Sequence, residues 1–176
     1  MPFLQPELAT RSFDILPGMT IADFGCGSGH WALLLAKLVG PSGKVYAFDV
    51  QESALEATRS QAKLAHMYNI EGVRTDLEQP HGSTLKDACV DMVVLSNILF
   101  QVESKETIVK EAARVVKPGG KAIVIEWDET ESLTGPPIAQ RITRQETERL
   151  FLQQSFRFEK ECNAGSQHYG FVFKKI

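Results

Sequence analysis

The sequence predicts an α/β fold with a seven-stranded, mostly parallel sheet and helices on both of its faces. The first indication is a short buried strand, Ile21–Phe24, which runs into glycines at alternate positions and then into a helix, Trp31–Val39. Strand and helix patterns then alternate along the chain, as they do in parallel sheets. The last indication is two alternating stretches, Phe156–Cys162 and His168–Lys175, which predict a C-terminal antiparallel hairpin.

Four further strands are predicted from runs of apolar residues. They are Lys44–Val50, Val73–Thr75, Val90–Asn97 and Lys121–Trp127. Val90–Asn97 is apolar enough to be buried on both faces, which is typical of a central strand in a parallel sheet.

Helical periodicity fills the intervals between these strands. Besides Trp31–Val39, the expected helices are Pro6–Leu16, Glu52–Tyr68, Glu103–Val116 and a segment from Thr143 to about Gln154. Ser53 with Glu56, and Thr143 with Glu146, have the spacing of a capping box at a helix start. Lys117–Gly120 should end the fourth helix in a turn.

Length and composition predict one domain without a nucleic-acid or membrane surface. The chain has 176 residues, 43% of them hydrophobic and 23% charged, which suits a single globular core. A formal net charge of −3 argues against an extended phosphate-binding surface. The first twenty residues lack the pattern of a signal peptide, so a cytoplasmic protein is expected. A homodimer is compatible with the sequence, although no residue requires one.

The glycine turn after the first strand is the strongest candidate for a ligand site. Gly25, Gly27 and Gly29 leave the backbone bare, so that a ligand can lie against it, with Cys26 inside the turn. The amides of the following helix start would face that ligand. Asp23 places a carboxylate at the mouth of the turn, where it would repel a pyrophosphate and attract a cation. A positively charged ligand is therefore favoured.

Another interpretation of the same stretch remains open. Gly27–Ala32 also satisfies the G-x-G-x-x-A form of a dinucleotide fingerprint, which would indicate an NAD(P)-binding oxidoreductase. Asp49 lies twenty residues after Gly29, at the end of the second strand beside Val50, where a carboxylate can bind the hydroxyls of a ribose. A glycine turn without a ligand, and an Asp49 that only caps the strand, are the structural alternatives.

Two separated stretches resemble one enzyme family. The Asp-x-Gly-x-Gly-x-Gly pattern of Asp23–Gly29 resembles the first motif of the class I S-adenosylmethionine-dependent methyltransferases. Arg114–Gly120 with Lys121–Trp127 resembles the helix, Pro-Gly-Gly turn and fifth strand of small-molecule methyltransferases related to quinone-biosynthesis enzymes. The resemblance implies a Rossmann-like fold, S-adenosylmethionine as cofactor, and a small-molecule acceptor methylated by in-line displacement. A protein that binds the cofactor without turnover is a further alternative.

The resemblance also implies roles for residues at later strand ends. Asp76 would accept a hydrogen bond from the adenine amino group, and Leu77 would pack on the ring. Ser96 and Asn97, at the end of the fourth strand, would face the ligand crevice. Some arsenite methyltransferases of this fold use several cysteines as metalloid ligands. The position of Cys26 inside the glycine turn argues against such a three-thiol cluster, and no metal site is predicted.

The acceptor side is predicted from the last strands. Glu126 and His168 are candidate general bases if the acceptor must lose a proton. Trp127 and Tyr169 are candidate acceptor-binding side chains. We divide the chain 1–176 into an N-terminal cover helix (1–17), a cofactor-binding core (18–128) and a final part (129–176), in which 129–137 is a candidate lid before a helix and the closing hairpin.

Overall fold

A computed structural model describes residues 4–130 and 134–176 of the chain. They form one seven-stranded sheet in the order β3-β2-β1-β4-β5-β7-β6. The strands are β1 Thr20–Phe24, β2 Lys44–Asp49, β3 Ile70–Arg74, β4 Val90–Ser96, β5 Val116–Trp127, β6 Phe156–Cys162 and β7 His168–Lys175. β1 to β5 pair in parallel and β7 pairs antiparallel with both β5 and β6. The predicted mostly parallel sheet with a closing antiparallel hairpin is confirmed.

Within residues 4–130 and 134–176, five α-helices cover the two faces of this sheet. They are α1 Pro6–Ala9, α2 His30–Val39, α3 Glu52–Leu64, α4 Lys105–Val115 and α5 Arg144–Leu152. Buried side chains of α1, α2 and α3 belong to the hydrophobic cluster on one face, and those of α4 and α5 belong to the cluster on the other. None of the described helices has both the length and the apolar character that crossing a bilayer requires.

The N-terminal helix is shorter than predicted. The pattern indicated Pro6–Leu16, but α1 ends at Ala9 and a 3-10 turn, Thr10–Ser12, follows. Leu16, the last residue of the predicted helix, is 61% exposed. The segment is instead held by Phe13, which is fully buried and stacks on Trp31 with 5.8 Å between ring centroids. The packing of one aromatic side chain therefore holds this segment in place, where two further helical turns were predicted.

Helix caps were predicted correctly at one of two places. The Thr143 side chain accepts a hydrogen bond from the Glu146 amide at 3.0 Å, which satisfies one free donor of α5. In α3, however, Gln51 is the N-cap residue and makes no side-chain cap bond, so the prediction for Ser53 was wrong. The Asp49 carboxylate accepts the Gln51 amide instead. The α3 start is thus organised by the preceding strand end.

The Pro-Gly-Gly stretch forms a bulge within β5. We predicted a turn at Lys117–Gly120 followed by a separate strand. In the structure β5 begins at Val116, opposite Val90, and its register shifts so that Lys121 lies opposite Met92. Gly119 has a φ of +78° within this bulge. The prediction of a turn was wrong, because this stretch belongs to one continuous strand whose bulge is set by pairing with β4.

Candidate functional site

The glycine turn leaves β1 at the carboxyl edge of the sheet. Gly25, Gly27 and Gly29 all have positive φ angles, of +79°, +51° and +87°. Gly29 is the N-cap residue of α2, and a β-carbon on it would lie 2.6 Å from Thr58 Oγ1 and 3.0 Å from Thr58 Cα. The turn therefore needs glycine for its backbone conformation and, at Gly29, for close packing against α3.

A cavity of about 500 Å³ opens beside this turn. It lies at the carboxyl ends of the parallel strands, where open α/β sheets bind ligands. The described residues that line it are Leu4, Gly25, Cys26, Gly27, Ser28, Trp31, Asp49, Val50, Gln51, Ala54, Thr75, Asp76, Leu77, Glu78, Ser96, Asn97, Ile98, Gln101, Val102 and Ile108. Most of the predicted cofactor-binding residues are thus brought together around one space, although Asp23 and Gly29 are not among its lining residues.

Asp49 connects the turn with the start of α3. One carboxylate oxygen, Oδ2, accepts the Gly27 amide at 2.9 Å, and Oδ1 accepts the Gln51 amide at the same distance. A carboxylate oxygen accepts more than one hydrogen bond, so both retain acceptor capacity toward the cavity. The side chain consequently holds two backbone segments in place and can still bind a ligand hydroxyl.

Asp76 and Leu77 follow the third strand and differ in exposure. Asp76 is exposed, and its two oxygens accept the Glu78 amide and the Gln79 side-chain amide at 2.9 and 3.0 Å. Leu77 is 5% exposed and belongs to the core on the α4 face. The pair therefore offers a polar edge beside an apolar surface, which is an arrangement suited to a planar base.

Several polar atoms around the cavity are buried without a hydrogen-bond partner among the described residues. They are both carboxylate oxygens of Asp23, Ser96 Oγ, Asn97 Oδ1 and Trp31 Nε1. Burial, together with the nearby Asp49 charge, raises the pKa of Asp23 to about 7. Unpaired buried polar groups cost stability, so they mark places where a ligand can supply the missing partner.

Charge around the cavity is one-sided. Among its lining residues in the described part of the chain, Asp49, Asp76 and Glu78 are acidic and none is Lys, Arg or His. Asp23 adds a further carboxylate behind the glycine turn, where it is 1% exposed. Such a site favours a cationic ligand and has no side chain to neutralise a pyrophosphate.

The sequence did not indicate Trp31, Leu4 or the residues after Asn97 as part of the site. Trp31 comes two residues after Gly29, in the first turn of α2, and was assigned only to a helix. The segment Ile98–Val102 directly follows the predicted crevice residues and includes a 3-10 turn, Leu99–Gln101. The positive φ of Asn97, +55°, turns this segment back over the cavity. That backbone reversal was not visible in the hydrophobic pattern.

The four residues predicted for the acceptor side do not line this cavity. Tyr169 is 2% exposed and packs in the core, where its hydroxyl lies 2.7 Å from Thr147 Oγ1 and donates to the Ile142 carbonyl at 3.1 Å. The rings of Trp127 and His168 pack against each other at a tilt of 38°, with 4.3 Å between their centroids. Glu126 is fully buried beneath the Ile98–Val102 segment. The structure gives all four a packing or hydrogen-bonding environment, and none of them is among the described residues that line the cavity.

The candidate lid, 129–137, packs on Trp127 in its described part, while its residues 131–133 lie outside the described residues. A β-carbon on Gly135 would lie 2.6 Å from the Trp127 ring. Arg141 donates to the Asp128 carbonyl at 2.6 Å and to the Pro136 carbonyl at 2.9 Å, which ties both ends of the loop. Closure of this loop over the cavity stays a prediction.

Comparison with known proteins identifies the family. The profile described as "Methyltransferase domain" matches residues 15–169. A demethylmenaquinone methyltransferase of Bacillus mycoides is 33% identical over 117 residues, which is 66% of this chain and 48% of that protein. One of Lactococcus lactis subsp. lactis is 34% identical over 111 residues, covering 63% and 43% of the two chains. The chain thus spans about half the length of these curated relatives.

Solved structures show the same fold. A SAM dependent methyltransferase from Aquifex aeolicus has a TM-score of 0.89 and 25% identity, covering 99% of this chain and 91% of that one. The cyclase SpnF has a TM-score of 0.82 at 15% identity, covering 97% and 79%, and this likeness shows the fold alone. The chain belongs to the class I S-adenosylmethionine-dependent methyltransferase family, and S-adenosylmethionine is its cofactor. The NAD(P)-dependent alternative is not favoured.

Proposed function

We propose that this domain transfers a methyl group from S-adenosylmethionine to a small, uncharged acceptor in the cytoplasm. The observation that carries the proposal is the cavity beside the glycine turn, with acidic lining residues and buried acceptor atoms but no basic side chain among the described lining residues. A cofactor that carries an ammonium and a sulfonium matches this charge. A methyl acceptor that carries phosphate or carboxylate groups does not match this charge.

The cofactor would be held by residues from four strand ends. We assign the methionine part to the Asp23–Gly29 turn with Ser96 and Asn97, the ribose to Asp49 with Val50 beside it, and the adenine to Asp76 and Leu77. The unpartnered oxygens of Asp23, Ser96 and Asn97 support this assignment because they are hydrogen-bond acceptors close to the turn. These residues lie within 18–128, which we propose is the cofactor-binding core.

The chemistry requires alignment more than a dedicated base. S-adenosylmethionine, when bound, supplies a methyl group that its positive sulfur already activates. The chain's own contribution is then to hold both reactants in line and to exclude water. Trp31, Ile98 and Val102 supply apolar surface for this purpose at the cavity. Because Glu126 and His168 do not line it, no side chain needs to be assigned as general base.

The acceptor would reach the cavity beside the N-terminal segment. Leu4 lines the cavity, and the neighbouring Gln5 amide donates to the Ala164 carbonyl at 3.2 Å, which connects this segment to the β6–β7 loop. The named relatives are methyltransferases for demethylmenaquinone, which supports a small-molecule acceptor. Their greater length leaves the identity of this chain's acceptor to experiment. A homodimer also stays a prediction.

Calorimetric titration tests the assignment of the cofactor site. S-adenosylmethionine and S-adenosylhomocysteine should bind the wild-type protein, whereas NAD and NADP should not. Asp49→Ala should weaken cofactor binding by about 1–3 kcal/mol, or about 5- to 150-fold, because it removes charge-assisted hydrogen bonds. Binding of NAD with no response to S-adenosylmethionine would overturn the proposal. An unchanged affinity of D49A would overturn the ribose assignment alone.

A further inference from the structure

The carboxyl group of Glu126 is buried in the protein interior, where a polar group requires compensating interactions. Glu126 is the next-to-last residue of β5, lies opposite Tyr169 of β7, and is 0% exposed. Side chains alternate along a strand, so Glu126 points to the same face as Val124, which belongs to the hydrophobic cluster beneath α4 and α5. A carboxyl group in such a cluster costs free energy unless hydrogen bonds compensate it.

Backbone amides supply part of that compensation, because Oε1 is hydrogen-bonded whereas Oε2 has no hydrogen-bond partner among the described residues. Glu126 Oε1 accepts the Leu99 amide at 2.7 Å, at the start of the 3-10 turn Leu99–Gln101. Burial raises the pKa of Glu126 to about 8, while the amides of Leu99, Ile98 and Phe100 act in the opposite direction. The first amides of a helical turn have no partner within the turn. The Glu126 side chain, which comes from β5, therefore acts as the cap of the 3-10 turn.

The capped segment forms one wall of the cofactor cavity. Ser96, Asn97, Ile98, Gln101 and Val102 all line that cavity. Ile98 also contacts the glycine turn, because a β-carbon on Gly25 would lie 2.8 Å from Ile98 Cδ1. A shift of the Leu99 amide would therefore move both the wall and the side chain that covers the turn.

We propose that Glu126 is a positioning residue, which holds the Ser96–Val102 segment against the glycine turn and so shapes the cofactor site without touching the reactants. The inference rests on the proposed function, since its readout is cofactor binding. It replaces our interpretation of Glu126 as a candidate general base. Only the carbonyl-type oxygen that accepts the Leu99 amide is needed for this role.

The test compares two substitutions at this position with a matched one elsewhere. Glu126→Gln keeps an acceptor oxygen at the same distance along the side chain, whereas Glu126→Leu removes it at similar volume. Asp91→Leu is the control, because Asp91 also accepts a backbone amide, that of Thr20 at 2.8 Å, but lies at the other end of β4 away from the cavity. S-adenosylhomocysteine is the probe, titrated by calorimetry, and thermal midpoints are measured in parallel.

E126Q should bind S-adenosylhomocysteine within about threefold of wild type, and E126L should lose about tenfold or more. D91L should lose thermal stability but keep its affinity. An E126L affinity within twofold of wild type, or a D91L affinity loss equal to that of E126L, would overturn the proposal. If wild type itself fails to bind, the proposed function fails and not only the role of Glu126.

Amide exchange keeps the proposal falsifiable even if E126L does not fold. In the wild-type protein the Leu99 amide should exchange slowly with solvent, although it lies outside the sheet, because the buried Glu126 oxygen holds it. E126Q should preserve that protection. Rapid exchange of the Leu99 amide in the wild-type protein would show that Glu126 does not fix the segment.

Discussion

The two ends of the parallel sheet differ in how completely their polar groups are paired. At the amino end, Asp91 binds both the Thr20 amide and Lys117, and Lys121 bridges Asp14 and Glu159 at 2.6 and 2.8 Å. At the carboxyl end, the buried oxygens of Asp23, Ser96 and Asn97 have no partner among the described residues. Both ends carry a cavity, so concavity alone does not distinguish them.

The difference shows which end is built for a ligand. The amino-end cavity, of about 220 Å³, is lined by charged residues that all form ion pairs within the chain: Asp14, Asp91, Lys117 and Lys121. Those pairs stabilise the fold without outside partners. Unpaired buried acceptors lower stability at the carboxyl end, and a cationic ligand can recover that free energy by binding.

Glycine substitution should give the largest contrast between the two ends. Gly29 and Gly119 both have positive φ, of +87° and +78°. A methyl group at Gly29 would meet Thr58, including its backbone, whereas nothing lies within 4 Å of the corresponding position at Gly119. Gly29→Ala should therefore lower the free energy of unfolding by about 2–4 kcal/mol and weaken S-adenosylhomocysteine binding more than about tenfold.

Gly119→Ala is the matched control. It adds only the backbone strain of a side chain at positive φ, about 1 kcal/mol, and should leave cofactor affinity unchanged. Urea unfolding and calorimetry on the two variants measure both quantities. Similar losses of affinity in G29A and G119A would remove the proposed distinction between the two ends.

The pH dependence of stability should be the next largest effect. Burial raises the folded-state pKa of Asp23 from 3.8 to about 7 and that of Glu126 from 4.5 to about 8. The folded state therefore keeps protons that the unfolded state has lost. The contribution of these groups to stability is fully present below about pH 4 and is lost as pH rises toward 7–8. Thermal midpoints of the ligand-free protein across this range measure it.

Asp23→Asn isolates the contribution that Asp23, next to the glycine turn, makes to the pH dependence of stability. The asparagine side chain is neutral at every pH, so the thermal midpoint of the variant should fall less than that of the wild type between pH 4 and 8. Cofactor affinity of the wild type should decrease below about pH 7, by up to about tenfold per pH unit, because protonated Asp23 no longer attracts a cation. Identical pH profiles for D23N and wild type would show that Asp23 does not titrate in this range.

Removal of the two ion pairs that Asp14 forms at the amino end should have the smallest effect. Asp14 accepts bonds from Lys121 and Lys160, and its side chain is 58% exposed. Such pairs contribute little because solvent screens them. Asp14→Ala should change the free energy of unfolding by less than about 1 kcal/mol and leave S-adenosylhomocysteine binding unaltered. A measurable loss of binding would indicate that the two ends are coupled.

Local patterns predicted the elements on which the site is built. The closing strands, Phe156–Cys162 and His168–Lys175, match the structure residue for residue because turn residues separate the two runs, although burial does not alternate along them and β7 is buried on both faces from His168 to Phe173. The glycine turn was equally clear, since three glycines at alternate positions permit a bend that other residues resist. The capping box at the start of α3 was predicted wrongly, because α3 begins after Gln51, whose amide is bound by Asp49 of the preceding strand.

The sequence by itself determined the succession of strands and helices along the chain, the glycine turn and the acidic residues near that turn. Each of these features depends only on residues that are close together in the sequence. Only the tertiary structure decided which strand-end residues meet: Ile98 at Gly25, Trp31 at the cavity, and Glu126 beneath Leu99 rather than among the described residues that line the cavity. These contacts depend on the relative placement of β1, β4 and β5, and long-range packing of that kind leaves no periodic trace in the chain.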